Sequence, residues 1–180
     1  MKFFESCDYE EFYKKITAGL RKHPRLCSFV PALDKVLVIY MYIAFALLIA
    51  FTYLKAIPVM GTRAFLSHDF LVCLLVPAAG FLFETVVRAK INRKRPYEKY
   101  DISPLIKKYK TGESMPSRHV FSAAVISTAV LFLSRPFGIV CFIISILSAV
   151  VRVIGGVHYP SDVIVGFLLG ITIGSLCFFL

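Results

Sequence analysis

The stretch GGVHYPSD, residues 155–162, sets His158 four residues before Asp162, between two long apolar runs. Ionisable side chains are expensive in or beside a bilayer, so their presence there calls for a use. Two further stretches hold most of the remaining reactive residues: RAKINRKRP from Arg88 to Pro96, and SMPSRH from Ser114 to His119. A third, RVIGGVHYPSD from Arg152 to Asp162, contains the opening one. Arginine offers a planar fork matched to phosphate oxygens, and several together neutralise a phosphoryl group. A histidine whose second ring nitrogen is held by a carboxylate keeps one tautomer, leaving the other nitrogen free as base or nucleophile. A second histidine can then protonate a leaving oxygen. Two histidines, one aspartate and several arginines therefore read as phosphoryl transfer through a phosphohistidine, with His158 reacting and Asp162 holding it. No carboxylate cluster suggests a metal site and no cofactor is implied, so arginines are expected to do the work of metal ions.

Taken singly, these residues have plainer readings. Arg88 or Arg152 at the end of an apolar run can be a snorkelling anchor. Pro116 and Pro160 suit a first helical turn, Ser117 an N-cap, and Asp162 a first-turn acid. Asp162 can serve its helix and His158 at once. As a set on one membrane face, the residues point to a site.

The elements that must position them are apolar. The 180 residues, 58% hydrophobic with mean hydropathy +0.74, suit one membrane-embedded domain over 1–180. Crossing a ~30 Å hydrocarbon core takes roughly 17–25 residues. Val36–Leu54 has no charge, and Phe70–Val87 has one acid, Glu84, a turn before Arg88 and suited to pair with it. His119–Ser134, Phe137–Val151 and Val163–Leu180 are shorter but almost charge-free. The expectation is an all-α bundle of five transmembrane helices, with residues 88–119 and 152–162 as active-site loops; a soluble helical core is the alternative. Gly166, Gly170 and Gly174 recur every fourth residue, a face for close helix packing. Tyr97–Ser114 is a long polar loop that either covers the site or only connects two spans.

Residues 1–35 form the N-terminal amphipathic segment. Tyr9, Phe12, Ile16 and Leu20 recur at three- and four-residue spacing, which predicts an amphipathic helix lying on the membrane surface. Met1–Arg25 mixes acids and bases without an apolar core, unlike a signal peptide. Cys7, Cys27, Cys73, Cys141 and Cys177 lack metal-type spacing, although Cys7 and Cys27 can pair in an oxidising compartment.

Of 21 Lys and Arg, only Lys55, Arg63 and Arg135 fall on the face opposite the three stretches. A basic face is cytoplasmic by the positive-inside rule, or it exists to attract an anion or anionic head groups. Nucleic acid is disfavoured as a partner, because the basic loop lacks a recognition signature and is hemmed in by spans. A membrane and a lipid phosphate are the expected partners; oligomeric state is not indicated.

At these residues the sequence resembles the type 2 phosphatidic acid phosphatase family, which includes membrane lipid phosphatases, soluble acid phosphatases and haloperoxidases. The family pattern is K-x-x-x-x-x-x-R-P, then P-S-G-H, then S-R-x-x-x-x-x-H-x-x-x-D. Here Arg88 stands for the lysine, Arg118 for the glycine and Val151 for the serine, while Arg95, Pro96, His119, Arg152, His158 and Asp162 are in register. In size and span count the chain is most similar to the small bacterial undecaprenyl pyrophosphate phosphatases of that family. The resemblance implies His158 as nucleophile, Asp162 as its orienting partner and His119 as the acid for the leaving group. It implies phosphate binding by Arg88, Arg95 and Arg152, helped by Ser117 and the backbone around Arg118, whose side chain can add a cation for a second phosphate. It further implies metal-independent dephosphorylation of undecaprenyl pyrophosphate, phosphatidylglycerophosphate or phosphatidic acid at an extracytoplasmic site. A non-catalytic anionic-lipid binder or transporter using the same basic pocket is the rival reading.

Overall fold

A computed structural model describes residues 9–180, so Lys2 and Cys7, with any pairing of Cys7 to Cys27, lie outside the described residues. The elements are helices α1 (Tyr9–Arg21), α2 (Pro24–Met60), α3 (His68–Ile91), the single turn α4 (Pro96–Lys99), α5 (Arg118–Leu133), α6 (Arg135–Ile154) and α7 (Pro160–Gly174). There is no strand among the described residues. Cys27, Cys73, Cys141 and Cys177 are free thiols.

Four helical segments, Pro24–Leu66, His68–Lys99, Arg135–Ile154 and Pro160–Phe178, are long and apolar enough to cross a membrane. The remaining apolar run forms α5, whose 16 residues reach only about 24 Å at 1.5 Å per residue. Its surroundings account for the difference. α5 contacts α2, α3, α6 and α7, and every residue from Val120 to Val130 except Ser122 is buried. A helix wrapped in protein has no lipid thickness to match. The outer helices turn Ile43, Leu47, Leu82 and Ile143 outward instead.

Small residues let this central helix be enclosed. A Cβ on Gly138 of α6 would lie 2.4 Å from the Leu131 Cα, and the Ser127 and Ser145 hydroxyls meet at 3.0 Å across the same interface. Gly166, Gly170 and Gly174 form the face of α7 that packs on α5, as their spacing predicts. A Cβ on Gly170 would fall 2.6 Å from the Phe121 carbonyl oxygen, which is backbone and cannot swing away. Gly170→Leu is therefore expected to lower stability by about 1–3 kcal/mol or more. The readout is the thermal unfolding midpoint in detergent, against Leu168→Ala on the outward face of α7 as the control that changes little.

α2 begins at Pro24, well before the charge-free window, because continuing the helix keeps the backbone hydrogen bonds that an early break would expose. This carries Asp34 into the bundle, where it is buried. α1 meets the bundle through Tyr9, Tyr13 and Thr17, one step round from the stripe of Phe12, Ile16 and Leu20. The Tyr13 hydroxyl donates to the Ile154 carbonyl at 3.1 Å and accepts from the Leu105 N–H at 3.3 Å. Tyr9 packs against Tyr159 with ring centroids 4.9 Å apart. Phe12 and Ile16 are partly buried against the same tyrosine cluster, and Leu20 against the cluster of Val30 and Leu37, so the predicted stripe also meets the protein.

Candidate active site

The loop 155–159 delivers His158 into a position only 2% exposed. Pro160 then opens α7, and Asp162, in its first turn, accepts the Tyr159 N–H at 3.0 Å. His158 Nδ1 lies 2.9 Å from the Ser114 carbonyl oxygen and 3.6 Å from Asp162 Oδ2. A carbonyl only accepts, so Nδ1 carries the proton and Nε2 keeps its lone pair. Asp162 thus acts on His158 by charge at short range, while the hydrogen bond that fixes the ring belongs to Ser114. The carboxylate is already engaged: Ser114 Oγ donates to Oδ2 at 2.5 Å and Arg93 Nη1 donates to Oδ1 at 2.8 Å. Burial pushes the His158 imidazole down to about 4 against the opposing pull of Asp162, so the ring is neutral at ordinary pH.

Three arginines surround this histidine, all nearly buried. Arg88, in the last turns of α3, donates to the Pro116 carbonyl at 2.7 Å and to the Glu113 carbonyl. Arg95, just before α4, donates to the Gly112 carbonyl at 3.0 Å and to that of Val157 at 3.4 Å. Arg152, near the end of α6, brings Nε to 2.8 Å from Asp34 Oδ1, although the angle between them makes no hydrogen bond. These contacts settle the role of the long polar loop, which folds over the site. Its Ile106 N–H bonds the Gly155 carbonyl at 3.1 Å, and the Gly112 N–H bonds Glu98.

Ser117 caps α5 by position without a side-chain bond, and its backbone N–H donates to the Asp162 carbonyl at 3.0 Å. A Cβ on Gly166 would sit 2.9 Å from the Ser117 carbonyl oxygen, so the glycine face of α7 also holds the start of α5 in place. His119 follows in the first turn, with Arg152, Lys108 and Arg88 as its charged neighbours and His158 also near it. Arg118 points elsewhere. Its Nε donates to Glu84 Oε2 at 3.3 Å and its guanidinium lies over the Phe81 ring at 5.1 Å. Glu84 also meets Arg88 at 3.4 Å, as the one-turn spacing predicts.

The structure therefore gathers Arg88, Arg95, Ser117, His119, Arg152, His158 and Asp162 at one end of the bundle, with Arg118 at its border. Four residues had no such role in the sequence reading: Ser114 and Arg93, which hold His158 and Asp162, and Asp34 and Lys108 beside Arg152. Ser114 and Arg93 lie inside the stretches singled out above, whereas Asp34 and Lys108 carry no local signal. Among the described residues, the buried polar side-chain atoms left without a hydrogen-bond partner include Arg88 Nε, Ser117 Oγ, and Nε and Nη1 of Arg152. Such groups are costly to bury unpaired, and these are donors suited to an oxyanion.

The PAP2 superfamily model matches residues 69–180. Undecaprenyl-diphosphatase BcrC of Bacillus subtilis is 30% identical over 174 residues, 95% of this chain and 82% of that protein. Phosphatidylglycerophosphatase B of the same organism is 31% identical over 141 residues, 71% of this chain and 64% of that protein. Among solved structures, LpxE of Aquifex aeolicus has TM-score 0.69 at 22% identity over 94% of both chains, a likeness of fold. The PAP2-type phosphatidylglycerolphosphate phosphatase from Bacillus subtilis has TM-score 0.51 at 28% identity, covering 92% of this chain and 90% of that one. This multi-pass membrane chain belongs to the PAP2 superfamily.

Proposed function

We propose that this lipid phosphatase is a single membrane-embedded domain that dephosphorylates a lipid phosphate or diphosphate through a phosphohistidine at His158. The observation that carries the reading is the set of buried donors on Arg88, Ser117 and Arg152 that lack a hydrogen-bond partner, near a neutral imidazole whose Nδ1 is tied. Nε2 of His158 attacks phosphorus as the bond from phosphorus to the lipid oxygen breaks. His119 gives its proton to that oxygen. The ring becomes cationic, held by the Ser114 carbonyl and by Asp162 at 3.6 Å. Water then attacks phosphorus, His119 takes its proton, and the P–N bond breaks to release phosphate and free His158. Arg88, Arg95 and Arg152 meet the charge on the phosphoryl oxygens throughout, so no metal ion is required.

An apolar cleft of about 630 Å³ supports a lipid substrate. It runs between α2, α3 and α5, walled by Leu37, Met41, Phe45, Pro77 and Phe81, with Arg118 and His119 also on its wall. A lipid tail lying there brings its phosphate to His119. In this reading α5 is a fifth crossing, α1 rests on the membrane surface, and the site faces the extracytoplasmic side.

The test is phosphate release by purified protein from phosphatidic acid, phosphatidylglycerophosphate and a polyprenyl diphosphate in EDTA. Release that survives the chelator, with an acid-labile, base-stable phosphoprotein trapped during turnover, is the expected result. Binding of these lipids without release from any would overturn the enzyme reading in favour of a non-catalytic binder.

A further inference from the structure

His119 borders two clefts. One is the apolar cleft above; the other, about 850 Å³, lies between α2, the loop 104–108, α5 and α6. The charged side chains and histidine on the wall of the second are Asp34, Lys35, Lys107, Lys108, His119 and Arg152. Four of these are basic and one is acidic, so the cleft is cationic even after Asp34 is counted against Arg152. Lys108 is the telling member. It is half-buried, and makes no hydrogen bond and no ion pair within 4 Å among the described residues. Its charged neighbours are Arg152, Asp34, Arg95 and Arg88. Burial, then Arg152, push its ammonium down to about 8. A partly desolvated cation with mostly cationic neighbours is stabilised by an anion.

Which anion follows from where His119 stands. The phosphoryl group transferred to His158 is met by the arginines, and the oxygen protonated by His119 belongs to the group that leaves. A lipid diphosphate leaves as a lipid monophosphate, so a second phosphate must lie just beyond His119. A lipid monophosphate leaves as an alcohol and puts no charge there. Arg118, the other candidate for a second phosphate, is already engaged by Glu84.

We propose that Lys108, with Lys35 and Lys107, forms a subsite for the phosphate retained on the leaving group, which makes the enzyme selective for lipid diphosphates. The subsite rests on the phosphatase reading above. It adds a specificity-determining residue from a loop outside the family motifs.

The experiment compares farnesyl diphosphate with farnesyl monophosphate, which share a tail and differ by one phosphate, in wild type, Lys108→Met and Lys108→Arg. One charge-assisted contact corresponds to roughly a 10- to 100-fold change. Lys108→Met is expected to lower the ratio of kcat/KM for diphosphate over monophosphate by that factor, and Lys108→Arg to restore most of it. An equal fall for both substrates would overturn the subsite, placing Lys108 with the transferred phosphoryl group or with the fold. An unchanged ratio at unchanged rates would overturn it too. Wild-type protein that releases phosphate from neither substrate would sink the phosphatase reading itself, and the subsite with it.

Discussion

His158→Ala is expected to abolish turnover, with kcat/KM falling by ~10⁴-fold or more, as when a covalent nucleophile is removed. In the proposed mechanism water does not substitute for it easily, because the imidazole is buried and the surrounding donors would hold the phosphoryl group toward Nε2. Removing the ring leaves the Ser114 carbonyl without its donor, at a cost of about 1–3 kcal/mol. The thermal midpoint separates that loss from the chemical one: folded but inactive protein is the expected outcome. Folded protein retaining a tenth of wild-type turnover would rule out His158 as nucleophile. The pH profile of the wild type checks the same residue. As the proposed nucleophile, His158 would attack only when neutral, and burial lowers its pKa to about 4. Activity is therefore lost as pH falls through that value, and the acid limb of kcat/KM lies well below the ordinary histidine range near 6.5. An acid limb at 6.5 would mean that the essential base is a different, more exposed group.

Arg152→Met separates the catalytic part of a buried cation from its structural part. Arg152 is 1% exposed and meets Asp34 at 2.8 Å, yet Nε and Nη1 have no hydrogen-bond partner within the protein. Methionine fills much of the volume but leaves Asp34 as an uncompensated buried charge, a loss of about 3–5 kcal/mol. It also removes donors aimed at developing charge, for which a fall of about 10²–10³ in kcat is typical. Combining it with Asp34→Asn removes the stranded charge. The double variant is expected to recover most of the thermal midpoint and none of the activity. Recovery of both would make Arg152 a structural ion pair and leave phosphate binding to Arg88 and Arg95.

What the sequence made legible was local or collective. His158 and Asp162 are four residues apart and separated by one helix start, so their proximity follows from chain geometry alone. The arginines were legible through their number and their shared membrane face. The glycine face of α7 was legible because helical periodicity dictates which residues line up, although the partner helix was not. The contacts that tie the site together escaped because they join distant segments. Ser114 reaches His158 across 44 positions and Arg93 reaches Asp162 across 69. Neither can be read from spacing, since each depends on how the long polar loop drapes over the bundle end. The central helix reads in the sequence as one span among five, and its contacts with four other helices depend on where those neighbours lie. On α1 the periodicity gives one stripe, Tyr9, Phe12, Ile16 and Leu20; that Tyr13 and Thr17 are buried deeper depends on the neighbours they meet.

Glu84 carries a consequence for how such sequences diverge. One carboxylate holds Arg88 of α3 and Arg118 of α5, and those two positions are where the chain departs from the family's usual lysine and glycine. An arginine at 118 brings charge to the edge of an apolar cleft, and the acid one turn before Arg88 is what balances it. The three side chains are therefore coupled by charge in this chain. Relatives with arginine at the position of Arg118 should retain an acid at that of Glu84, whereas those with glycine are free to lose it. Reverting Arg118 alone would leave Glu84 drawing only on Arg88, a cation assigned to the phosphoryl group. What looks like a lapse in the motif is then a second, internally consistent version of it.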